Sequence, residues 1–182
     1  MAETGSSLLA PWSSFYILIG SAAASLTGLM FVVITLVTGI DRLRRNPDGI
    51  GTFSTPTVVH FGTALLVSAL LSAPWRSTVW LAVTFGIIGV VGIVYLARLM
   101  HRAKRLTTYK PDLEDWAWYT VLPFVAYGAL LAAGIMFRIV PVDAMFALAA
   151  GATLLIFIGI HNAWDIVTYI VTEYADDSSK PE

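Results

Sequence analysis

Five long stretches of the 182-residue chain contain no aspartate, glutamate, lysine or arginine. A helix needs about 20 predominantly apolar residues to cross the ~30 Å hydrocarbon core of a bilayer, and each stretch is long enough. Lipid offers no hydrogen-bond partner to backbone N–H and C=O groups, so such segments of so short a chain must be helices. The sequence therefore predicts an all-α, polytopic integral membrane protein, a single-domain bundle of five transmembrane helices. The five stretches are residues 11–40, 49–75, 77–97, 116–137 and 144–164.

Prolines near the ends of these stretches place the helix boundaries. Thr55 and Pro56 are typical of an N-cap followed by the first helical residue, and Pro141 opens the last helix in a similar way. Pro123 lies inside the fourth helix, where its missing N–H should free the carbonyl of Tyr119 and bend the axis. The predicted spans are residues 11–40, 55–74, 77–100, 115–138 and 141–171, with an acidic cytoplasmic tail at 172–182.

The basic residues are divided unequally between the two sides of this bundle. The loops after the first and third helices, together with Lys180 in the tail, hold nine lysines and arginines, whereas the opposite side holds only Arg76 and Arg138. Basic residues mark the cytoplasmic side, so the N-terminus is predicted outside and the C-terminus in the cytoplasm. The chain begins without a basic residue, unlike a secretory signal, and the first stretch is predicted to be a retained span. We expect a multi-pass protein of a bacterial inner membrane or a plasma membrane.

Composition and missing motifs exclude several classes of protein. Charged residues make up 13% of the chain, against roughly 25% in soluble domains. The chain has no cysteine, which excludes disulfides, thiolate metal ligands and cysteine nucleophiles. A net charge of −1 gives no electrostatic reason to expect a nucleic-acid partner. Neither the common catalytic motifs nor a charge at the bilayer midplane is present, so the sequence favours neither an enzyme nor an ion-coupled transporter.

Small residues recur at helical spacing in three of the predicted helices. Small side chains let the backbones of membrane helices approach closely. Two interpretations are open, namely tight packing within one chain and an interface between subunits. The residues predicted to serve in helix packing are Gly20, Ala24, Gly28, Gly86, Gly89, Gly151 and Gly159.

Two histidines from distant parts of the chain are predicted at a similar depth. His60 lies near the start of the second helix, and His161 lies near the end of the fifth, which runs in the opposite direction. At about 1.5 Å per helical residue, both reach the cytoplasmic leaflet. Asp165 and Thr168 share the face of His161, and Asn162 flanks it. The sequence therefore predicts a polar cluster of these five residues that opens toward the cytoplasm.

Four interpretations of this cluster remain open. The first is a hydrogen-bonded clasp between helices. The second is a metal site with His60, His161 and Asp165 as ligands, because imidazole and carboxylate are common metal ligands. The third is a tetrapyrrole site in which the two histidines are the axial ligands of haem or chlorophyll. The fourth is the inner mouth of a pore or of a substrate path.

A basic segment continues the third helix into the predicted cytoplasmic headgroup region. Anionic headgroups attract each lysine or arginine placed there. The sequence therefore predicts that membrane lipids with anionic headgroups are partners of this segment. The predicted headgroup contacts are Arg98, Arg102, Lys104 and Arg105.

Together these features predict a non-enzymatic integral membrane subunit, either homo-oligomeric or accessory to a larger membrane complex. The prediction rests on the missing catalytic groups and the abundant small-residue faces. One alternative is an oligomeric ion channel or small-solute pore. Another is a redox or pigment subunit that binds haem or chlorophyll.

Overall fold

The computed structural model describes residues 5–38, 47–103 and 113–178, and every regular element within these ranges is helical. The predicted all-α class is therefore confirmed for this part of the chain. In chain order the elements are α1 (Gly5–Leu9), a 3₁₀ turn (Ala10–Trp12), α2 (Ser13–Thr38), α3 (Pro47–Leu71), α4 (Thr78–Ala103), α5 (Leu113–Trp116), a π-helical turn (Ala117–Val121), α6 (Leu122–Met136) and α7 (Pro141–Ser178).

Four helical segments are long and apolar enough to cross a membrane, which indicates a multi-pass membrane protein. They are Ser7–Thr35, Thr78–Arg102, Ala117–Met136 and Pro141–Thr168. The fifth predicted span corresponds to α3, whose described apolar part, Thr55–Leu71, is shorter than the others.

Two helices extend beyond their predicted bounds. α3 begins at Pro47, so Pro56 lies inside the helix and not at its first position. An interior proline removes one backbone hydrogen bond but does not have to end the helix, since neighbouring bonds hold it. α7 continues for 38 residues to Ser178, past the predicted end at residue 171. At 1.5 Å per residue α7 is about 57 Å long, nearly twice the ~30 Å hydrocarbon thickness.

The helices pack side by side in the order α2, α3, α7, α6, α4. α7 is the central helix, because it packs against both α3 and α6 and also touches α2. Over its most apolar segment 56% of the residues of α7 are buried within the chain, against 17% for α2. Leu148, Leu155 and Ile158 of α7 are fully buried in the apolar core together with Leu130 of α6. The row therefore has a covered centre and two open edges, α2 and α4.

Glycines bring α4 and α6 into backbone contact. A Cβ atom placed on Gly89 would lie 2.5 Å from the backbone nitrogen of Leu131, which is closer than real Cβ atoms approach. A Cβ atom on Gly134 of α6 would lie 2.5 Å from the backbone nitrogen of Gly86. The two helices can approach this closely only because these positions have no side chain.

The predicted packing glycines of α7 have the same role on its two sides. A Cβ atom on Gly151 would lie 3.0 Å from the carbonyl oxygen of Ala126 in α6. On the other side, a Cβ atom on Gly159 would collide with the ring of Phe61 in α3. α7 therefore uses small residues against both of its neighbours.

The small residues of α2 are divided between a covered and an uncovered face. A Cβ atom on Gly20 would lie 3.0 Å from the Cβ atom of Ser68 in α3. Gly28 has nothing within 4 Å of such a position, and Ala24 is exposed. Of the three predicted packing residues on this helix, only Gly20 lies against another helix of the chain.

Two alanine substitutions that add the same methyl group should have opposite effects on stability. Gly89→Ala should destabilise the fold by about 1–3 kcal/mol, because the methyl group meets the backbone of α6. Gly28→Ala should be neutral or stabilise by up to ~1 kcal/mol, because alanine is the better helix former and the space is open. Thermal unfolding of dilute detergent-solubilised protein, followed by circular dichroism, measures both effects. Equal shifts for the two variants would contradict the proposed packing of α4 on α6.

Candidate functional site

The five predicted cluster residues lie on two helices. His60 is on α3, and His161, Asn162, Asp165 and Thr168 are on α7. The two histidines have different partners, Tyr127 for His60 and the Glu114–Trp118 region for His161. They therefore form two polar groups. The His60 group consists of His60, Thr63 and Tyr127. The His161 group consists of His161, Glu114, Trp118, Tyr119 and Asp165.

The His60 group joins α3 to α6. His60 and Tyr127 are each about 1% exposed, and His60 Nδ1 lies 3.1 Å from the Tyr127 hydroxyl oxygen. Thr63 Oγ1 lies 3.3 Å from the same oxygen and donates its proton to the carbonyl of Val59 at 2.8 Å. One arrangement of protons satisfies all three contacts, in which Tyr127 donates to Thr63 and His60 donates to Tyr127. The group is thus a closed hydrogen-bonded clasp.

The His161 group joins α7 to the segment that precedes α6. The imidazole of His161 stacks on the indole of Trp118, with ring centroids 4.0 Å apart and planes 8° from parallel. His161 Nε2 lies 3.4 Å from Glu114 Oε1. Tyr119 donates a hydrogen bond of 3.3 Å to Asp165 Oδ2. The imidazole is therefore held by one aromatic face and flanked by carboxylates.

His161 and Asp165 lie within ion-pair distance but without hydrogen-bond geometry. His161 Nδ1 lies 3.2 Å from Asp165 Oδ2, yet it makes no hydrogen bond. Side-chain exposure is 22% for His161, 39% for Asp165 and 71% for Glu114. An exposed ion pair contributes only about 0–1 kcal/mol to stability. The stacking of His161 on Trp118 and the hydrogen bond from Tyr119 to Asp165 therefore account for much of the contact between α7 and this segment.

A π-helical turn places two consecutive residues against α7. The turn spans Ala117–Val121, and the N–H of Leu122 donates to the carbonyl of Ala117, five residues back. Pro123 follows immediately and has no N–H for the carbonyl of Tyr119. The extra residue in the turn lets both Trp118 and Tyr119 contact α7. Such widened turns recur at functional sites.

Asn162 is buried beside the His161 group without a hydrogen bond. Its side chain is 0% exposed, and neither atom of its amide has a hydrogen-bond partner within residues 5–38, 47–103 and 113–178. It follows Leu155 and Ile158 on the inward face of α7, and both are fully buried. An unpartnered buried polar group costs about 1–3 kcal/mol, which makes Asn162 the least satisfied polar residue among the described side chains.

The other predicted polar residues have simpler surroundings. Thr168 Oγ1 donates to carbonyls of its own helix, those of Trp164 and Asp165, each at 3.0 Å. Arg98 and Arg102 are exposed on α4. Lys104 and Arg105 lie outside the described side chains.

The geometry gives no support to the predicted metal or tetrapyrrole sites. Within residues 5–38, 47–103 and 113–178, no three histidine, aspartate or glutamate side chains are grouped to hold a metal ion. Each nitrogen of His161 already faces a carboxylate, and His60 Nδ1 is engaged by Tyr127. Among the described residues, His60, His161 and Asp165 are therefore not grouped to hold one metal ion.

The sequence did not predict the other members of the His60 and His161 groups. They are Thr63, Glu114, Trp118, Tyr119 and Tyr127. Trp118 and Tyr119 precede Pro123 by one helical turn, and that spacing was the available signal for an altered turn.

No protein-family model, curated protein or solved structure matches this chain. The functional interpretation therefore rests on the geometry of the chain itself. That geometry can hold helices together at two places.

Removing the hydroxyl of Tyr127 tests the His60 group. Tyr127→Phe leaves His60 and Thr63 without their shared partner and should lower stability by about 1–3 kcal/mol. Tyr95→Phe on α4 is the matched control, because no hydrogen bond joins Tyr95 to a described residue. Thermal unfolding in detergent measures both variants, and an equal loss in the two would rule out the clasp.

Proposed function

We propose that this chain is a non-enzymatic subunit of an integral membrane assembly that associates with copies of itself through α2. The uncovered small-residue face of α2 carries this proposal. Gly89, Gly134, Gly151 and Gly159 lie against other helices of the chain, whereas a Cβ atom on Gly28 would meet nothing within 4 Å among the described residues.

Five spans with the N-terminus outside and the C-terminus in the cytoplasm complete the proposal. The fifth span is α3, a helix of 25 residues, whose described apolar part would cover about 25 Å at 1.5 Å per residue. Packing supports its inclusion, since α3 lies between α2 and α7 in the row. The nine-to-two distribution of basic residues supports the orientation.

The two histidine groups support a structural role. His60 and His161 each contact a segment distant in sequence, Tyr127 and the Glu114–Trp118 region respectively. Membrane helices use such polar contacts to fix their neighbours. We propose that both groups are helix clasps on the cytoplasmic side of the bundle.

The exposed face of α2 is suited to another membrane helix. Ser21, Ala24, Ser25 and Gly28 are all exposed, and they follow the small-residue spacing that allows close helix–helix contact. Beside them, Ile17 is 63% exposed and can pack against a partner. If these residues faced lipid, they would gain little dispersion energy, because small side chains make few contacts with acyl chains.

Cysteine labelling tests the number of spans, and the chain has no native cysteine to interfere. With five spans, Ser6→Cys should react with an impermeant maleimide in intact cells, and Ser178→Cys should react only after permeabilisation. If α3 does not cross the membrane, four spans remain and both cysteines lie on the same side. Equal accessibility of the two cysteines would therefore contradict the fifth span.

Oxidative crosslinking tests the α2 interface. Ser25→Cys should form disulfide-linked dimers in native membranes, whereas Val91→Cys, on the outer face of α4 and 61% exposed, should not. Adding Gly28→Leu to the Ser25→Cys chain should abolish the crosslink without lowering the stability of the monomer, because a Cβ atom on Gly28 meets nothing within 4 Å among the described residues.

Equal crosslinking of the two cysteine variants would show random collision and contradict the interface. Failure of Ser25→Cys to crosslink with itself would leave this face to a different membrane subunit. If a variant with two cysteines crosslinks into oligomers larger than a dimer, the result would instead favour the predicted channel. The serines of α2 would then surround a shared axis.

A further inference from the structure

The outer face of α4 carries a groove at its C-terminal end. The groove has a volume of about 350 Å³ and is lined by Val94, Ala97, Arg98, His101 and Arg102. Val94, Arg98 and Arg102 are four residues apart, and Ala97 and His101 lie beside them at the same spacing, so all five share one face of the helix. The groove is apolar at one end and basic at the other.

An apolar stripe leads into this groove. Val83, Ile87, Val90 and Val91 are each between 46% and 61% exposed, and they continue the face of Val94 toward the middle of the helix. From Val83 to Val94 the stripe is about 16 Å long at 1.5 Å per residue, roughly half of the ~30 Å hydrocarbon core. This is the length of one leaflet.

The basic end of the groove carries charge that the described part of the chain does not neutralise. Arg98 and Arg102 are exposed and lie one turn apart, and no described carboxylate pairs with either guanidinium. A guanidinium binds phosphate oxygens through two parallel N–H donors. His101 lies between the two arginines on the same face and adds a third polar group to the groove.

We infer that this groove is a binding site for an anionic glycerophospholipid. The phosphate lies between Arg98 and Arg102, and an acyl chain follows the stripe from Val94 to Val83. The apolar length and the basic end match the two parts of such a lipid, whereas a free phosphate would use only the arginines. The inference rests on the membrane embedding proposed above and is independent of association through α2.

Lipid competition on the full-length chain tests this site. The detergent-solubilised protein is incubated with equal amounts of phosphatidylglycerol and phosphatidylcholine of the same acyl composition, and the retained lipids are quantified by mass spectrometry. Each cation beside an anionic headgroup contributes about a fivefold preference, so two arginines predict about a 25-fold preference for phosphatidylglycerol. The double variant Arg98→Gln, Arg102→Gln should lose this preference.

Matched variants separate this site from general attraction to charge. Arg76→Gln, which removes one exposed arginine just before the opposite end of α4, should keep the preference. Arg98→Lys should keep part of it, because the charge remains while the paired donors are lost. An unchanged preference in the double glutamine variant would overturn the inference, and so would a preference that millimolar inorganic phosphate abolishes. Retention of neither lipid by any variant would contradict the membrane embedding itself.

Discussion

Hydrocarbon offers no hydrogen-bond partner, and this constraint organises the polar groups of the bundle. Some side chains bond to a carbonyl one turn back in their own helix, as Ser68 does with Ala64, and so leave the helix surface apolar. Others reach across to a distant part of the chain. Tyr16 donates to the carbonyl of Met145, and His60 is bonded to Tyr127. Those long-range contacts join α2 to α7 and α3 to α6, pairs that are separated by one helix in the row, so satisfying the polar groups also ties the row together across an intervening helix.

The row of helices has different outward surfaces at its two edges. At one edge α2 presents small residues, which suit close contact with protein. At the other edge, α4 presents a face of valines and one isoleucine that is followed by arginines at the C-terminal end of the helix. Such a face suits contact with lipid. α7 lies between the two edges and carries several of the fully buried residues of the core, among them Leu148, Leu155 and Ile158. Such an arrangement is consistent with a subunit that joins an assembly through one side and faces the bilayer with the other.

The all-α class and the apolar helices could be predicted because they depend only on local composition. Long charge-free stretches have few alternatives to a membrane helix. The partners of His60 and His161 could not be predicted, because depth along a helix does not reveal the lateral order of the helices. The π-helical turn added a second difficulty, since one extra residue changes which side chains face α7. For the same reason the spacing of Gly20, Ala24 and Gly28 could not show that only the first lies against another helix of the chain.

Because α7 is one continuous helix, a tilt of the helix displaces its far end more than the residues near the contact with α6. α7 is one helix from Pro141 to Ser178, and Gly151 holds it closely against α6. If this contact acts as a fulcrum, a tilt of about 5° displaces the end at Ser178 by about 3.5 Å and His161 by about 1.3 Å. Hydrogen bonds weaken steeply over such distances, and the His161–Glu114 contact is already 3.4 Å long. A force on the far end of α7 would therefore tilt the helix and increase the distance between His161 and Glu114.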